Sequence, residues 1–149
     1  MYHTGEQLDQ ICAAFPAINR DTFAVTSPQD PHYNCIAWAA DENDVWWWPS
    51  PDAYWPDGLP LRDESVQNFT AAFETIGYLP CDDGSLEEGY EKVVIYSVSG
   101  MAKHMARQLP DGAWTSKLGK AFDVRHGADL DVSGEVYGEC THYMRRRSA

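Results

Sequence analysis

The sequence predicts an α+β fold, in which N-terminal helices pack on a mostly antiparallel sheet formed by the C-terminal half of the chain. Two observations carry this prediction. In the first half, apolar residues recur every three or four positions, which is the helical period. In the second half, runs rich in β-branched residues alternate with turn signals, which is typical of strands and hairpins. Residues 1–149 are expected to form a single domain, because a chain of this length buries one core.

The first helix is predicted to start after Thr4. Thr4 and Gln7 have the spacing of a capping box, in which the two side chains satisfy backbone amides at the helix start. Pro16 ends the helix, and residues 17–31 are expected to be irregular because turn signals interrupt them. The residues at helical spacing, which should face the core, are Leu8, Ile11, Cys12 and Phe15.

A short second helix is predicted to begin at Cys35, with Asn34 as its N-cap, because Asn accepts hydrogen bonds from first-turn amides. Cys35 then lies at the positive end of the helix, where a thiolate is stabilised and the pKa of the thiol falls. This is the environment that a nucleophilic cysteine needs. Cysteine is also among the most buried residue types, so simple packing is the alternative interpretation.

Five of the six tryptophans lie between Trp38 and Trp55, in a segment whose prolines prevent long regular structure. Aromatic rings with a single N–H donor suit the wall of a binding cleft. Trp38, Trp46 and Trp47 are therefore candidate substrate-binding residues, and Asn34, which precedes them, is a further candidate. The alternative is that these rings cover a small core.

The third helix is predicted over residues 65–77, with Gly77 well placed as its C-terminal stop. Residues 78–91 are expected to form a solvated acidic loop, because their carboxylates lack the fixed spacing of an EF-hand calcium loop. The apolar face of the helix consists of Val66, Phe69, Phe73 and Ile76.

The C-terminal half is predicted to supply the sheet. Residues 92–97 form a dense β-branched run, as expected of a central strand. The turn residues 110–112 predict a tight hairpin. The arms of this hairpin and two further strands are predicted at residues 104–109, 113–117, 121–125 and 134–144, and the basic tail 145–147 is expected to be a frayed end.

The predicted hairpin brings candidate catalytic side chains to one face. Counted back from the turn with the two-residue period of a strand, His104 and Ser116 share a face. A thiol nucleophile needs an imidazole within hydrogen-bond reach and a third group that orients the imidazole. Cys35 and His104 would form such a pair if the sheet packs on the Cys35 helix with His104 at the facing edge. Ser116 and His126 are rival candidates for the third group.

Residues 34–39 and 103–106 resemble the papain-like cysteine hydrolases, in particular the NlpC/P60 and CHAP families, which place a cysteine at a helix start and a histidine at the opening of a strand. The likeness lies in order and element type, and it extends over residues 35–117. Two family features differ here. Glu91-Lys92 replaces a Gly-Asp dipeptide before the central strand, and Lys103-His104 replaces a Gly-His pair.

The resemblance implies a papain-like, NlpC/P60-like fold and a peptidase or amidase with Cys35 as nucleophile and His104 as general base. It implies no cofactor, and a substrate amide or peptide bond in peptidoglycan or a protein. A bacterial toxin or effector is one form of such an enzyme. The family's third residue lies on the strand after the histidine, which favours Ser116. The Cys35 amide would meet the oxyanion, and Lys117 would bind a substrate carboxylate.

Two other functions stay open. A structural zinc site would use His32 and Cys35 together with a second pair of ligands. That second pair is Cys140 and His142, which would share a face of a strand. Alternatively, a non-enzymatic acidic binding protein, of the inhibitor or immunity type, would hold a basic protein partner with the Trp-rich segment.

The formal net charge of −12 argues against general affinity for nucleic acid or anionic lipid, since both need a positive surface. No apolar run approaches the roughly 20 residues that cross a bilayer. The N-terminal residues show no signal-peptide pattern, and the four cysteines include no C-x-x-C pair. Reduced thiols in a cytoplasm are therefore expected, or export by a dedicated secretion system.

Overall fold

The computed structural model describes residues 2–59 and 63–148. Their strands form one open sheet in the order β1-β6-β5-β4-β3-β7-β2, in which every neighbouring pair is antiparallel. The α+β fold with a C-terminal antiparallel sheet is therefore confirmed. The helices are α1 (Gly5–Ala14), α2 (Cys35–Ala39) and α3 (Val66–Glu74). The strands are β1 (Ala24–Val25), β2 (Leu79–Cys81), β3 (Tyr90–Val98), β4 (Met101–Gln108), β5 (Trp114–Lys117), β6 (Asp123–His126) and β7 (Glu139–Arg147).

The position of β3 inside the sheet explains why its sequence is apolar without alternation. It pairs with β4 on one side and with β7 on the other, and both of its faces are covered. Residues 93–96 have no exposed surface, as expected of a strand buried on both faces. This confirms the predicted central strand.

The sheet separates two apolar clusters. Helices α2 and α3 cover one face, where Ile36 and Phe69 pack with Ile95 and Met105. On the other face Tyr96 and Ala106 belong to a second cluster that also contains Phe15, Val94, Trp114 and Val132. Side chains that alternate along β3 and β4 therefore feed different clusters, which decides the direction in which each candidate residue points.

Both predicted helix caps, Thr4 and Asn34, are present, and Ser65 is an additional cap at the start of α3. Thr4 and Gln7 form the reciprocal capping box of α1, and Ser65 Oγ accepts a hydrogen bond from the Asn68 amide at 3.1 Å. Helix α1 is less buried than predicted, since none of its residues is fully buried. Cys12 is only half-buried, and the chain is fixed to the core by Phe15, just after the helix.

The prediction of a frayed basic tail is wrong. Strand β7 continues to Arg147 and pairs with β3 as far as Tyr90. Arg145 forms an ion pair with Glu87, and Arg146 Nε lies 2.6 Å from a carboxylate oxygen of Glu91. The segment predicted as a solvated acidic loop thus supplies the counter-charges that let the basic strand join the sheet.

The prediction of one strand over residues 134–144 is also wrong in its first half. Gly134 and Gly138 exchange two backbone hydrogen bonds, at 3.0 and 2.7 Å, and close a small loop before β7 begins. Both glycines have positive φ. A Cβ at position 138 would collide with the Ser97 carbonyl oxygen, so only glycine fits there. Short edge strands β1 and β2 stand where irregular chain was predicted.

No helix in the described residues is long and apolar enough to cross a membrane.

Candidate active site

Asn34 fixes the start of α2 and also holds the Trp-rich segment. Its Oδ1 accepts from the amides of Ala37 and Trp47, each at 3.1 Å. Its Nδ2 donates to the Trp47 carbonyl at 2.6 Å. Both ends of this buried amide are used inside the protein. Asn34 therefore acts as a cap and a tie between two segments, and its burial sets it apart from an exposed substrate-binding residue.

The Cys35 thiol is buried at the first residue of α2, where the residue is 8% exposed. Burial raises the pKa of Cys35 to about 11. Hydrogen bonding from the backbone of Met105, Ile36 and Cys35 itself lowers it, as does the charge of Lys117. The helix start thus supplies the amides predicted to favour a thiolate, but burial outweighs them. The thiol is protonated at neutral pH.

Strand β4 approaches Cys35 where it separates from β5. These two strands pair only at Arg107↔Thr115 and Gln108↔Trp114. The backbone of Met105, two residues before Arg107 on β4, hydrogen-bonds to the Cys35 sulfur. The predicted packing of the sheet on the Cys35 helix is present, since α2 contacts both β4 and β5. Met105, rather than His104, faces the helix.

His104 projects to the opposite face of β4. It pairs across the sheet with Tyr96 and packs against the Tyr96 ring at 5.1 Å between centroids. His104 Nε2 lies 3.0 Å from Ser116 Oγ, which confirms that these two side chains share a face. His104 Nε2 is used by Ser116, and His104 Nδ1 has no hydrogen-bond partner. The Cys35 thiol and the His104 imidazole are therefore not hydrogen-bonded to each other.

Ser116 and His126 are not rivals but consecutive members of one buried chain. Ser116 Oγ, on β5, lies 2.7 Å from His126 Nε2, at the end of β6. His126 Nδ1 lies 2.8 Å from the Ala128 carbonyl oxygen. His104, Ser116 and His126 have no exposed surface. We call this series, from His104 to the Ala128 carbonyl, the imidazole relay.

The direction of the imidazole relay follows from its last acceptor. A carbonyl oxygen only accepts, so His126 Nδ1 carries the proton and its Nε2 accepts from the Ser116 hydroxyl. Ser116 Oγ is then left to accept from His104 Nε2–H. Neutral His104 consequently has no proton on Nδ1. This buried atom, which has no hydrogen-bond partner, is a proton acceptor.

Burial holds the pKa of His104 well below its ordinary value of 6.5, and the neighbouring His126 lowers it further. Burial also lowers the pKa of His126, although the hydrogen bond to Ala128 and two aspartates oppose this. Both imidazoles are therefore neutral at pH 7. The site holds a neutral thiol and a neutral imidazole rather than an ion pair.

Tyr137 is a site residue that the sequence did not reveal. Its ring stacks on the His104 ring, with 3.9 Å between centroids and 4° between planes. Burial raises the pKa of Tyr137, and the charge of Cys35 raises it further. No sequence signal pointed to it, since residues 134–144 were predicted to be one strand.

Lys117 has a different role from the predicted one. Its side chain is buried, and its ammonium donates to the carbonyl oxygens of Asp30, Gly119 and Ala121 at 2.6, 2.9 and 2.8 Å. The three N–H groups are thus used, and none remains for a substrate carboxylate. The ammonium also lies 4.8 Å from the centroid of the Tyr33 ring. Its charge favours a thiolate at Cys35.

The candidate tryptophans contribute mainly to packing. Trp38 is half-buried, and its Nε1 donates to Thr115 Oγ1 at 2.9 Å. Trp47 is buried against the rings of Tyr54 and Phe73. Trp46 is half-buried. The interpretation that these rings cover a core therefore describes Trp38 and Trp47.

The proposed zinc ligands are not gathered. A bulge shifts the pairing of β3 with β7, so that Tyr96 faces Cys140 while Ile95 faces His142. Cys140 and His142 therefore lie on opposite faces of the sheet, and the prediction that they share a face is wrong. The extra residue in the bulge, Thr141, reverses the alternation. Across residues 2–59 and 63–148, no group of three or more His, Cys, Asp or Glu side chains is arranged to hold a metal ion.

Comparison with known proteins gives a family without an assigned activity. The family model described as "Domain of unknown function (DUF7689)" matches residues 24–145. No curated protein and no solved structure matches the chain. The matched region includes α2 and the whole imidazole relay, whereas α1 lies before it.

Proposed function

We propose that this chain, which belongs to the DUF7689 family, is a papain-like cysteine hydrolase that cleaves an amide or peptide bond. Cys35 is the nucleophile and His104 the general base. The observation that carries the proposal is the proton-accepting Nδ1 of His104, which the imidazole relay leaves buried and without a partner. It belongs to the residue next to Met105, whose backbone contacts the Cys35 sulfur.

The chemistry begins with proton transfer. The Cys35 thiol and His104 Nδ1 are not hydrogen-bonded in the free protein, so the proposal requires them to come within hydrogen-bond reach when the substrate binds. The thiol then gives its proton to Nδ1, and the sulfur attacks the substrate carbonyl carbon. The Cys35 amide, at the helix start, donates to the oxyanion that forms. When the C–N bond breaks, the proton on Nδ1 goes to the leaving amine, and a water molecule then hydrolyses the thioester. The transient imidazolium keeps Nε2–H on Ser116, so the ring does not have to turn.

The neutral resting pair has a consequence for the mechanism. Because burial raises the pKa of Cys35 to about 11 and lowers that of His104, no thiolate waits in the free enzyme. The proton must move as the substrate carbonyl arrives, and the oxyanion must be stabilised in the same step. The buried charge of Lys117 helps, since it favours negative charge on sulfur throughout.

Release of amino groups from purified peptidoglycan and from denatured casein tests the proposal. Cys35→Ala should abolish release, and His104→Ala should lower it at least 100-fold, because neither variant can generate the thiolate. Cys12→Ala is the matched control, since Cys12 is half-buried in α1 and should leave the rate unchanged. Equal rates in the wild-type protein and Cys35→Ala would overturn the assignment, as would a wild-type protein inactive on both substrates.

A further inference from the structure

We propose that a cavity beside the turn between β3 and β4 is a docking site for a basic peptide segment of a partner protein, and that it takes the side chain of a lysine or arginine. The cavity has a volume of about 640 Å³ and lies between the turn, the loop of residues 134–138 and the start of β7. We call it the turn cavity. The inference does not depend on the proposed hydrolysis, because it uses neither the Cys35 thiol nor the imidazole relay.

The walls of the turn cavity are built largely from small residues. Gly100, Gly134 and Gly138 line it, together with Ser97 and Ser99. Gly134 and Gly138 exchange two backbone hydrogen bonds, which close the loop between them. Because these residues carry little or no side chain, the chain itself leaves the space open. Its volume is in the range of ligand-binding pockets, about 300–1,000 Å³.

The fixed charge of the turn cavity is negative. Glu135 and Glu139 line it, and neither takes part in an ion pair within residues 2–59 and 63–148. The described residues that line the cavity include no lysine or arginine. The two carboxylates therefore have no counter-charge in the wall, and a cationic ligand would supply it.

A second cavity, of about 700 Å³ beside the start of β3, shows the contrast. Three glutamates line it, and two of them, Glu87 and Glu91, are ion-paired with Arg145 and Arg146. Arg107 lines this cavity as well. There the protein provides its own cations, whereas the turn cavity has none.

The hydroxyl groups of the turn cavity are bonded within the protein. Ser97 Oγ lies 2.7 Å from Thr141 Oγ1, and Thr141 Oγ1 lies 2.8 Å from His142 Nδ1. These three side chains satisfy one another across the β3–β7 pairing. Recognition in the cavity is therefore left mainly to the two carboxylates and to apolar contact.

Apolar side chains flank the turn cavity. Val98 lines it, and Met101 and Val136 each follow a lining residue in the chain. These three side chains belong to residues that are 38% to 50% exposed. Carboxylates beside exposed apolar groups suit a side chain with an apolar stem and a cationic tip, which describes lysine and arginine. The apolar flank also offers contact to the residues next to the basic one, which favours a peptide over a free amine.

NMR titration of the nitrogen-15-labelled full chain tests the proposal. The probes are Ac-Leu-Lys-Leu-NH2, its arginine counterpart, and its norleucine counterpart, which keeps an apolar stem and lacks the charge. At least one basic peptide should shift the amides of residues 97–101 and 134–142, and the norleucine peptide should bind at least tenfold more weakly. No shift there with either basic peptide would overturn the proposal, as would equal binding of the norleucine peptide.

Two further probes of the same kind locate and identify the occupant. The diamine cadaverine should bind at least tenfold more weakly than the basic peptide, because it lacks the flanking residues, and equal affinity would overturn the assignment to a peptide. Shifts confined to residues 46–55 would place the peptide on the Trp-rich segment and overturn the turn cavity as its site.

A matched pair of double variants separates the site from overall charge. Glu135→Gln/Glu139→Gln should weaken binding of the basic peptide at least tenfold, and both residues are exposed, so the fold should be unaffected. Glu42→Gln/Glu74→Gln makes the same change of net charge at two other exposed positions and should stay within twofold. Equal weakening in the two double variants would show that binding follows the net charge of −12 alone, which would overturn the proposal.

Discussion

At the scale of single residues, the chemistry of the site depends on which nitrogen of each histidine carries the proton. The Ala128 carbonyl determines both tautomers. It accepts from His126 Nδ1, so His126 Nε2 accepts from the Ser116 hydroxyl, and Ser116 in turn accepts from His104 Nε2. A backbone oxygen three groups away thus leaves Nδ1 of His104 free to act as a base. A serine is a weaker orienter than a carboxylate, and here the serine is itself oriented, because its hydroxyl donates to His126 Nε2.

The tautomers give a direct prediction. Nitrogen-15 NMR at pH 7 should show His104 protonated on Nε2 and His126 protonated on Nδ1, because the carbonyl acceptor allows no other arrangement. Ser116→Ala should remove the restraint on His104 and lower hydrolytic turnover about 10- to 100-fold, with Cys35 alkylation unchanged. The conservative variant Ser116→Thr, which keeps the hydroxyl, should restore much of the turnover. A proton on Nδ1 of His104 in the wild-type protein would contradict the imidazole relay.

At the scale of elements, helix α2 is too short to be stable by itself and depends on its cap. Asn34 supplies the cap and, with the same side chain, joins Trp47 to the helix through two hydrogen bonds. The Trp-rich segment, although irregular, is therefore attached to the residue that precedes Cys35, the proposed nucleophile. Any change in that attachment should be felt at Cys35.

Asn34→Ala should therefore cost more than the loss of an ordinary cap. A missing N-cap costs about 1 kcal/mol of unfolding free energy, and an unsatisfied buried amide at Trp47 adds about 1–3 kcal/mol. Ser65→Ala, which removes the cap of α3, is the matched control and should cost about 1 kcal/mol. Urea unfolding measures both. Equal losses in the two variants would show that the link to Trp47 contributes nothing.

Sequence reasoning succeeded where the signal was local. The predicted caps Thr4 and Asn34 lie within three residues of the amides they accept from, and the apolar run of β3 indicates its own burial. The shared face of His104 and Ser116 followed from strand period and one turn. Each of these rests on neighbours in the chain.

Sequence reasoning failed where the structure depends on a residue that is distant along the chain. Nothing near Arg146 reveals that Glu91 will neutralise it and hold the tail in the sheet. The bulge at Thr141 adds a single residue, and this reverses the faces of every earlier residue in β7. Tyr137 could not be foreseen as a site residue, because its position depends on the loop that Gly134 and Gly138 close and on the His104 ring from β4.

At the scale of the whole molecule, burying the imidazole relay ties stability to pH. His104 and His126 both have folded pKa values below 6.5, so the unfolded chain binds protons more readily below that pH. Their contribution to stability is complete above pH 6.5 and is lost as the pH falls toward their folded pKa values. Asp123, whose pKa is raised by burial, acts in the opposite direction above its ordinary value of 3.8, but it is one group against two.

Between pH 6.5 and 5 the free energy of unfolding should therefore fall, by up to about 1 kcal/mol per pH unit for each of the two histidines. Urea unfolding across pH 5–7.5 measures this slope. The double variant His104→Gln/His126→Gln keeps side-chain amides that can hydrogen-bond to Ser116 but cannot titrate, so its slope should be nearly flat. A wild-type slope no steeper than that of the double variant would mean that the two imidazoles are reached by protons in the folded protein. The relay would then not be the closed, neutral unit on which the proposed general-base action of His104 depends.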